Sequence, residues 1–299
     1  MHILFLTQVI PYPPDAGPKI KTWNVIRWLV ESGCQVTLVS FARPQEAAAV
    51  QELRGMGIEV IAVPLRRRRL YEPWSGLVSI LRGRPFLVER DDRKAFRAAV
   101  AGLISAQPVD VIHADQVSMA QFAVAVRGSQ SDRPALVFDA HNAVWVILAR
   151  AAQNAAWFWK PFLSFEARRM KRYEGMLVRS FDRTLAVSDT DRRSLEEAAG
   201  VGNIESRRPI TVVPIGVDTR ALSPVQRQPG SLKILTLGTL RYPPNAEGIR
   251  WFIREVYPRV KARVPGASLA VLGAHPPADF QTLAARHPED YQVPGYVPD

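Results

Sequence analysis

A chain of 299 residues, 47% hydrophobic and 22% charged, can bury a full core, and at roughly 150 residues per domain it is long enough for two. One cysteine, Cys34, excludes an internal disulfide and a cysteine zinc site, and no apolar run approaches the ~20 residues that cross a bilayer. The net charge is +11, with 30 basic and 22 acidic residues up to Val225, so the excess lies mainly in the first part and leaves three readings: nucleic acid, an anionic membrane surface, or no specific partner.

The first stretch organises the rest. Ile3-Leu4-Phe5-Leu6-Thr7 reads as a strand buried on both faces. A proline-held loop, Pro11 to Pro18, follows, and Gly17 removes a side chain where a ligand can come close. Pro18 suits a first helical residue, and Ile20, Trp23, Ile26, Leu29 and Val30 form the inward face of a helix. Gln35 to Ser40 is a second strand, completing a right-handed βαβ unit whose first loop opens at the carboxyl edge of a parallel sheet. No GxGxxG or GxxxxGK[ST] accompanies it.

Pro44 to Met56 reads as a helix and Ile58 to Leu65 as a third strand. Arg66 to Arg93, with four consecutive arginines, Tyr71, Trp74 and Pro85, reads as a mobile surface excursion or a flap facing membrane or acceptor. Alternation resumes with a helix over 94–107, a strand over 109–114, a helix over 117–127 and a strand over 135–139 ending at Ala140-His141-Asn142. Two helices, 144–159 and 164–179, are separated near Pro161, and strands follow at 184–188 and 210–214. A polar, proline-bearing break at 223–231 reads as a linker between a first domain, 1–222, and a second, 232–299. The second domain carries strands at 232–237 and 267–272 and a helix over 246–263, then stops. So few strands leave apolar surface uncovered, so the second domain is expected to be incomplete.

Candidate chemistry sits on the loops after strands: Gly17, His113, His141 with Asn142, Ser188, Gly216, Gly238 and Gly273. His141 reads either as a donor to a sugar hydroxyl or phosphate or as a histidine bonded to backbone or helix end. His113, beside Asp115, reads as structural. Asp189-Thr190-Asp191 opens a helix, with Asp189 as its cap, rather than holding a metal, and no HExxH or carboxylate–histidine set is present.

The stretches Pro11 to Gly17, Asp139-Ala140-His141-Asn142, Val187-Ser188-Asp189, Val212 to Asp218, Leu237-Gly238-Thr239-Leu240 with Pro244-Asn245, Val271-Leu272-Gly273 and Gly295 to Asp299, in this order, resemble the family 4 glycosyltransferases of the GT-B fold, especially bacterial enzymes of exopolysaccharide assembly. The resemblance implies an α/β protein of two Rossmann-like doubly wound domains facing a cleft, the first for the acceptor and the second for a nucleotide sugar. It implies transfer with retention, with no metal and no cofactor beyond the donor, to a lipid-linked or polysaccharide acceptor. The protein is then expected in the cytoplasm or at the inner face of the membrane, without nucleic acid. By the same resemblance His141 lies near the transferred sugar, Gly17, Gly238, Thr239 and Arg241 near the phosphates, and Gly273 and Val297 near the base. Asn142, His113 and Ser188 fall to the acceptor side. Ala16 stands in place of a second glycine, Thr239 and Ala246 stand near the places of the arginine and lysine, and the donor-binding glutamate motif would lie beyond Asp299. A nucleotide-sugar 2-epimerase and an inactive binding module are the alternatives.

Overall fold

Residues 1–65, 71–126, 134–200, 209–219 and 222–297 are described in the computed structural model. They divide into two compact units, Met1–Ala221 and Leu222–Asp299. The arginine run 66–69 and the final Pro298-Asp299 lie outside the described residues.

The first unit alternates strand and helix. Its elements are β1 (His2–Thr7), α1 (Gly17–Glu31), β2 (Gln35–Ala42), α2 (Ala47–Gly55), β3 (Glu59–Pro64), α3 (Tyr71–Arg82), α4 (Phe86–Asp91), α5 (Lys94–Ala106), β4 (Val111–Asp115), α6 (Ala120–Val126), β5 (Ala135–Ala140), α7 (Val144–Asn154), α8 (Lys160–Ser180), β6 (Arg183–Ala186), α9 (Asp189–Ala199) and β7 (Ile210–Val212). The seven strands pair in parallel in the order β3-β2-β1-β4-β5-β6-β7. The order reverses between β1 and β4, which opens a crevice at their carboxyl ends.

β1 is buried on both faces, as its apolar run demands. The period of two sends Leu4 and Leu6 into a core with Phe96, Phe122 and Phe138, and Ile3 and Phe5 into a second core with Ile26, Leu38 and Leu53. The inward face of α1 is offset from the apolar one: Lys21 and Thr22 are buried beside Ile26.

The second unit holds β8 (Lys233–Leu237), α10 (Pro243–Trp251), a π-helical turn (Phe252–Val256), α11 (Tyr257–Arg263), β9 (Ser268–Leu272), α12 (Ala278–Arg286) and β10 (Tyr291–Gly295). Its three strands are parallel in the order β10-β9-β8. Leu269, Val271, Tyr257 and Phe280 centre its core, while Leu235 and Leu237 on the edge strand β8 stay exposed.

Several expectations change. Residues 71–91 are not an irregular excursion but the helices α3 and α4, anchored by buried Ser75, Ser79, Val88 and Glu89. Pro161 does not separate α7 from α8; it occupies the first turn of α8, where a missing N–H costs nothing, and the break falls at 155–159. Ser188, not Asp189, caps α9: its hydroxyl accepts the Asp191 N–H at 3.1 Å and donates to the Asp191 carboxylate. The helix expected over 246–263 is broken by the π turn, and α12 and β10 form where the sequence pattern gave no element.

Candidate functional site

Two carboxylates end neighbouring strands of the large sheet, Asp115 on β4 and Asp139 on β5, paired in register. Both are buried, so each needs partners. Asp115 accepts Thr22 Oγ1 at 3.0 Å and His141 Nε2 at 2.8 Å, one on each oxygen. A carboxylate can only accept, so the His141 proton sits on Nε2 and Nδ1 remains as an acceptor when the ring is neutral. Asp139 Oδ1 receives the buried Lys21 ammonium, and its Oδ2 faces His113 Nε2 at 3.4 Å without hydrogen-bond geometry. Burial alone pushes the Asp139 carboxyl up, but His113, Lys21 and His141 outweigh it and hold it below the usual carboxylate range. His113 stacks on Phe5 with centroids 4.1 Å apart, so it lies in the interior under the rim.

The donor atoms of His113, Asp115 and Asp139 lie within 4.8 Å of one another, a grouping that could take a cation. Lys21 already meets Asp139, and Thr22 and His141 fill both oxygens of Asp115. The fold thus supplies the cluster's positive charge from α1.

His141 and Asn142 open onto a cavity of about 200 Å³ whose polar lining includes Gln8, Arg90, Asp91, Gln116 and Ser118. These are the donors and acceptors a ring of sugar hydroxyls requires. Gln116, directly after Asp115, holds φ at +74°, the left-handed region, while its N–H bonds Asp139 O at 2.9 Å. Backbone strain of this kind gathers at functional sites.

The loop carrying His141 is pinned from below. Glu174 of α8, fully buried, accepts Val144 N–H at 2.8 Å and Trp145 N–H at 2.9 Å, and Asp191 of α9 accepts Ala143 N–H at 3.0 Å. Burial pushes the Glu174 carboxyl up to about 7, against the two N–H groups that lower it and with Asp191's charge adding to the rise. Ser188 is placed beside this clamp, its hydroxyl engaged in the α9 cap. The segment after β7 is tied back to α1 by Asn24 to Gly216 O at 3.2 Å and Arg27 to Asp218 at 2.7 Å.

Gly17 begins α1, and a methyl there would meet nothing within 4 Å. In the second unit the strand ends converge through backbone: Gly238 N–H bonds Leu272 O at 3.1 Å and Gly273 N–H bonds Gly295 O at 2.8 Å. A Cβ on Gly273 would lie 2.0 Å from Gly238 O, so this close approach requires glycine. Thr239 and Arg241 follow on the exposed turn before α10, where Thr239 O accepts Asn245 Nδ2 at 3.2 Å, and Val297 is half-exposed after β10.

The sequence singled out His141, Asn142 and the glycines, but not Lys21, Thr22, Asp139 as Lys21's partner, Gln116 or Asp191's contact with Ala143. Its spacing put Glu166 and Glu174 on a solvated, ion-paired face of α8, whereas both are buried. The available signal was a lysine and a threonine beside the apolar face of α1 and an acid closing each of two adjacent buried strands.

No curated protein matches the chain. Among solved structures, sucrose-phosphate synthase from Thermosynechococcus elongatus is similar at TM-score 0.61 and 13% identity, over 99% of this chain and 71% of that one. WaaG, a glycosyltransferase involved in lipopolysaccharide biosynthesis, is similar at TM-score 0.55 and 15% identity, over 99% and 70%. Arabidopsis thaliana UGT89C1, complexed with UDP-L-rhamnose, is similar at TM-score 0.53 and 13% identity, over 100% and 69%. At such identities these likenesses establish a shared fold. The profile of Glycosyltransferase Family 4 matches residues 21–221, two thirds of the chain and most of the first unit. A parallel sheet whose strand order reverses at a rim of paired charges, together with that match, makes the chain a GT-B-fold glycosyltransferase belonging to glycosyltransferase family 4.

Proposed function

We propose that the protein moves a sugar from a nucleoside diphosphate to a lipid-linked or saccharide acceptor, with retention at the anomeric carbon and without a metal, at the inner face of a membrane in bacterial exopolysaccharide assembly. The observation that carries this reading is His141, held by Asp115 at 2.8 Å over a polar cavity at the carboxyl edge of the sheet. Its partner fixes the ring, so Nδ1 or the ring edge can meet a sugar hydroxyl without reorganisation. The transfer breaks the bond between the anomeric carbon and a diphosphate oxygen, and the acceptor oxygen bonds that carbon while its proton leaves with the diphosphate. Charge growing on the diphosphate suits N–H groups at a helix start, such as those of α1 beside Gly17. Neighbours complexed with UDP-L-rhamnose, with UDP, and with UDP-2fluoro-glucose and pterostilbene support a nucleotide-sugar donor. The 2-epimerase reading needs carboxylates open to substrate, whereas Asp115 and Asp139 are buried and paired.

The test is transfer from a panel of nucleoside-diphosphate sugars, read as diphosphate release and glycosylated product. His141→Ala is expected to lower transfer about 100-fold. Asp115 keeps Thr22, so the melting temperature is expected to fall only about 2–4 °C. Unchanged transfer would assign His141 to the fold alone, and no transfer from any donor would overturn the reading.

A further inference from the structure

The hairpin of α7 and α8 carries more exposed aromatic surface at its turn than any water-facing element needs. Trp157 is 85% exposed, and Phe158, Trp159, Phe162 and Phe165 are each around half exposed. The first four rings form a continuous ridge: centroids are 5.9 Å apart from Trp157 to Phe158 and from Phe158 to Trp159, and 6.2 Å from Trp159 to Phe162. Aromatic ridges of this size on a protein surface mark a contact, since water gains nothing from them.

The charge around the ridge has one sign. Residues 144–172 include six basic side chains against one acid, Glu166, and that acid is buried and paired with Arg169. Arg150, Lys160, Arg168 and Arg172 are exposed and make no ion pair among the described residues. Directly behind the ridge, a groove of about 360 Å³ between α7 and α8 is lined by Trp145, Lys160, Ser164, Arg168 and Lys171. Lys171 pairs with Glu197 and lies 4.4 Å above the Trp145 ring, which leaves Lys160 and Arg168 as the groove's uncommitted cations. α8 is also bonded to α3, because the Arg169 guanidinium that packs on Phe165 bonds Ser79 O and Arg84 O.

We infer that the α7–α8 turn forms a bilayer-docking surface, with the aromatic ridge in the interfacial layer and Lys160 and Arg168 on anionic lipid phosphates. Tryptophan and phenylalanine flanked by arginine and lysine are the composition that partitions to the headgroup level. Anionic lipid answers the unpaired cations. A second copy of this chain would set one basic hairpin against another, which like charge opposes. No described helix is long and apolar enough to cross a membrane, so docking here is peripheral. The inference rests on the lipid-linked acceptor reading for its purpose, not for its measurement.

Vesicle flotation tests it, with equal parts phosphatidylcholine and phosphatidylglycerol against phosphatidylcholine alone, at low and high salt. The full chain is expected to float with the anionic vesicles and to do so less at high salt. A Trp157→Ser, Trp159→Ser double variant should bind at least tenfold more weakly, and Lys160→Glu with Arg168→Glu should erase the preference for anionic lipid. All four side chains are exposed, so unfolding curves should not move, and transfer to a water-soluble acceptor should stay at the level of the unmodified chain. His141→Ala should float normally, so failure of the transfer reading and failure of this one are told apart. Equal flotation of the tip variant and the unmodified chain would overturn the inference. So would absence of vesicle binding, or a dimer that the tip substitutions convert to monomer.

Discussion

The carboxyl edges of the two sheets are built from different materials. In the seven-stranded sheet the edge is made of side chains: Asp115 and Asp139 end adjacent strands, and Lys21, Thr22, His113 and His141 surround them. In the three-stranded sheet it is made of backbone: Gly238, Gly273 and Gly295 end adjacent strands and are joined by peptide hydrogen bonds. A rim of buried charges fails when one charge loses its partner but tolerates small changes of shape. A rim of peptide groups ignores charge and fails when one methyl is added.

The largest effect should come from breaking the charged rim. Lys21→Met leaves Asp139 buried without its cation and is expected to cost about 3–5 kcal/mol, read as a drop of about 10 °C or more in the unfolding of the first unit. Next comes the backbone rim. Gly273→Ala forces a Cβ to within 2.0 Å of Gly238 O at φ +152° and should destabilise the second unit by about 2–3 kcal/mol while the first unit's transition stays in place. If both substitutions shifted both transitions equally, the contrast between the rims would be lost.

Glu174 sharpens the comparison on the pH axis, because among the described residues the buried carboxyl whose folded value lies near neutrality belongs to the first unit. That value is above the ordinary glutamate value of 4.5, so the folded state holds the proton more tightly than the unfolded chain. Its contribution is therefore complete below about pH 4.5 and is lost as pH rises through about 7, a change on the order of 2–3 kcal/mol. Denaturant midpoints taken from pH 5 to pH 8 should fall for the unmodified protein. Glu174→Gln should be less stable in acid, where its amide NH₂ meets a backbone N–H, and its midpoint should change less across the same range.

The smallest stability effect is expected at Gly17. A methyl there meets open space at a helix start, so Gly17→Ala should change stability by no more than about 0.5 kcal/mol. A fall in transfer without a change in stability would mark Gly17 as a ligand-facing position, in contrast to Gly273, which the fold itself requires. Unchanged transfer would remove Gly17 from the site.

Much of the fold was legible because strand and helix periods alternate plainly. The strands His2–Thr7, Gln35–Ala42 and Ala135–Ala140 are apolar runs, and Lys94–Ala106 repeats its apolar residues at helical spacing. α3 was hidden because Trp74, Leu77, Ile80 and Leu81 are exposed, so its apolar residues do not mark the buried side, and α4 because its buried side includes Glu89 and Asp91. α12 and β10 were hidden because β10 carries proline and glycine and its neighbours are polar. At the site, His141 was readable from its place after a strand. Its support was not, because Lys21 and Asp139 stand 118 residues apart and Asp115 and His141 stand 26 apart. Pairings across a sheet leave no mark in local periodicity. Ser188 and Asp189 were exchanged as cap for a simpler reason: both residue types cap helices, and only the backbone decides which does so.

The π-helical turn Phe252–Val256 adds a residue to the register between α10 and α11 just before Pro258, whose ring nitrogen has no N–H to donate to a regular helical bond. That offset brings Tyr257 inward, where its hydroxyl ties Ala267 O at 2.9 Å to Asp290 O at 3.2 Å, the ends of two separate loops. Winding 252 to 256 as an ordinary α-helical spiral with every residue kept would swing everything after it by about 100°. The phenol would then turn outward, both loops would lose their common knot, and the strands they precede would come adrift. A helix that looks irregular is, in this unit, the spacer that keeps the far side of the small sheet stitched together.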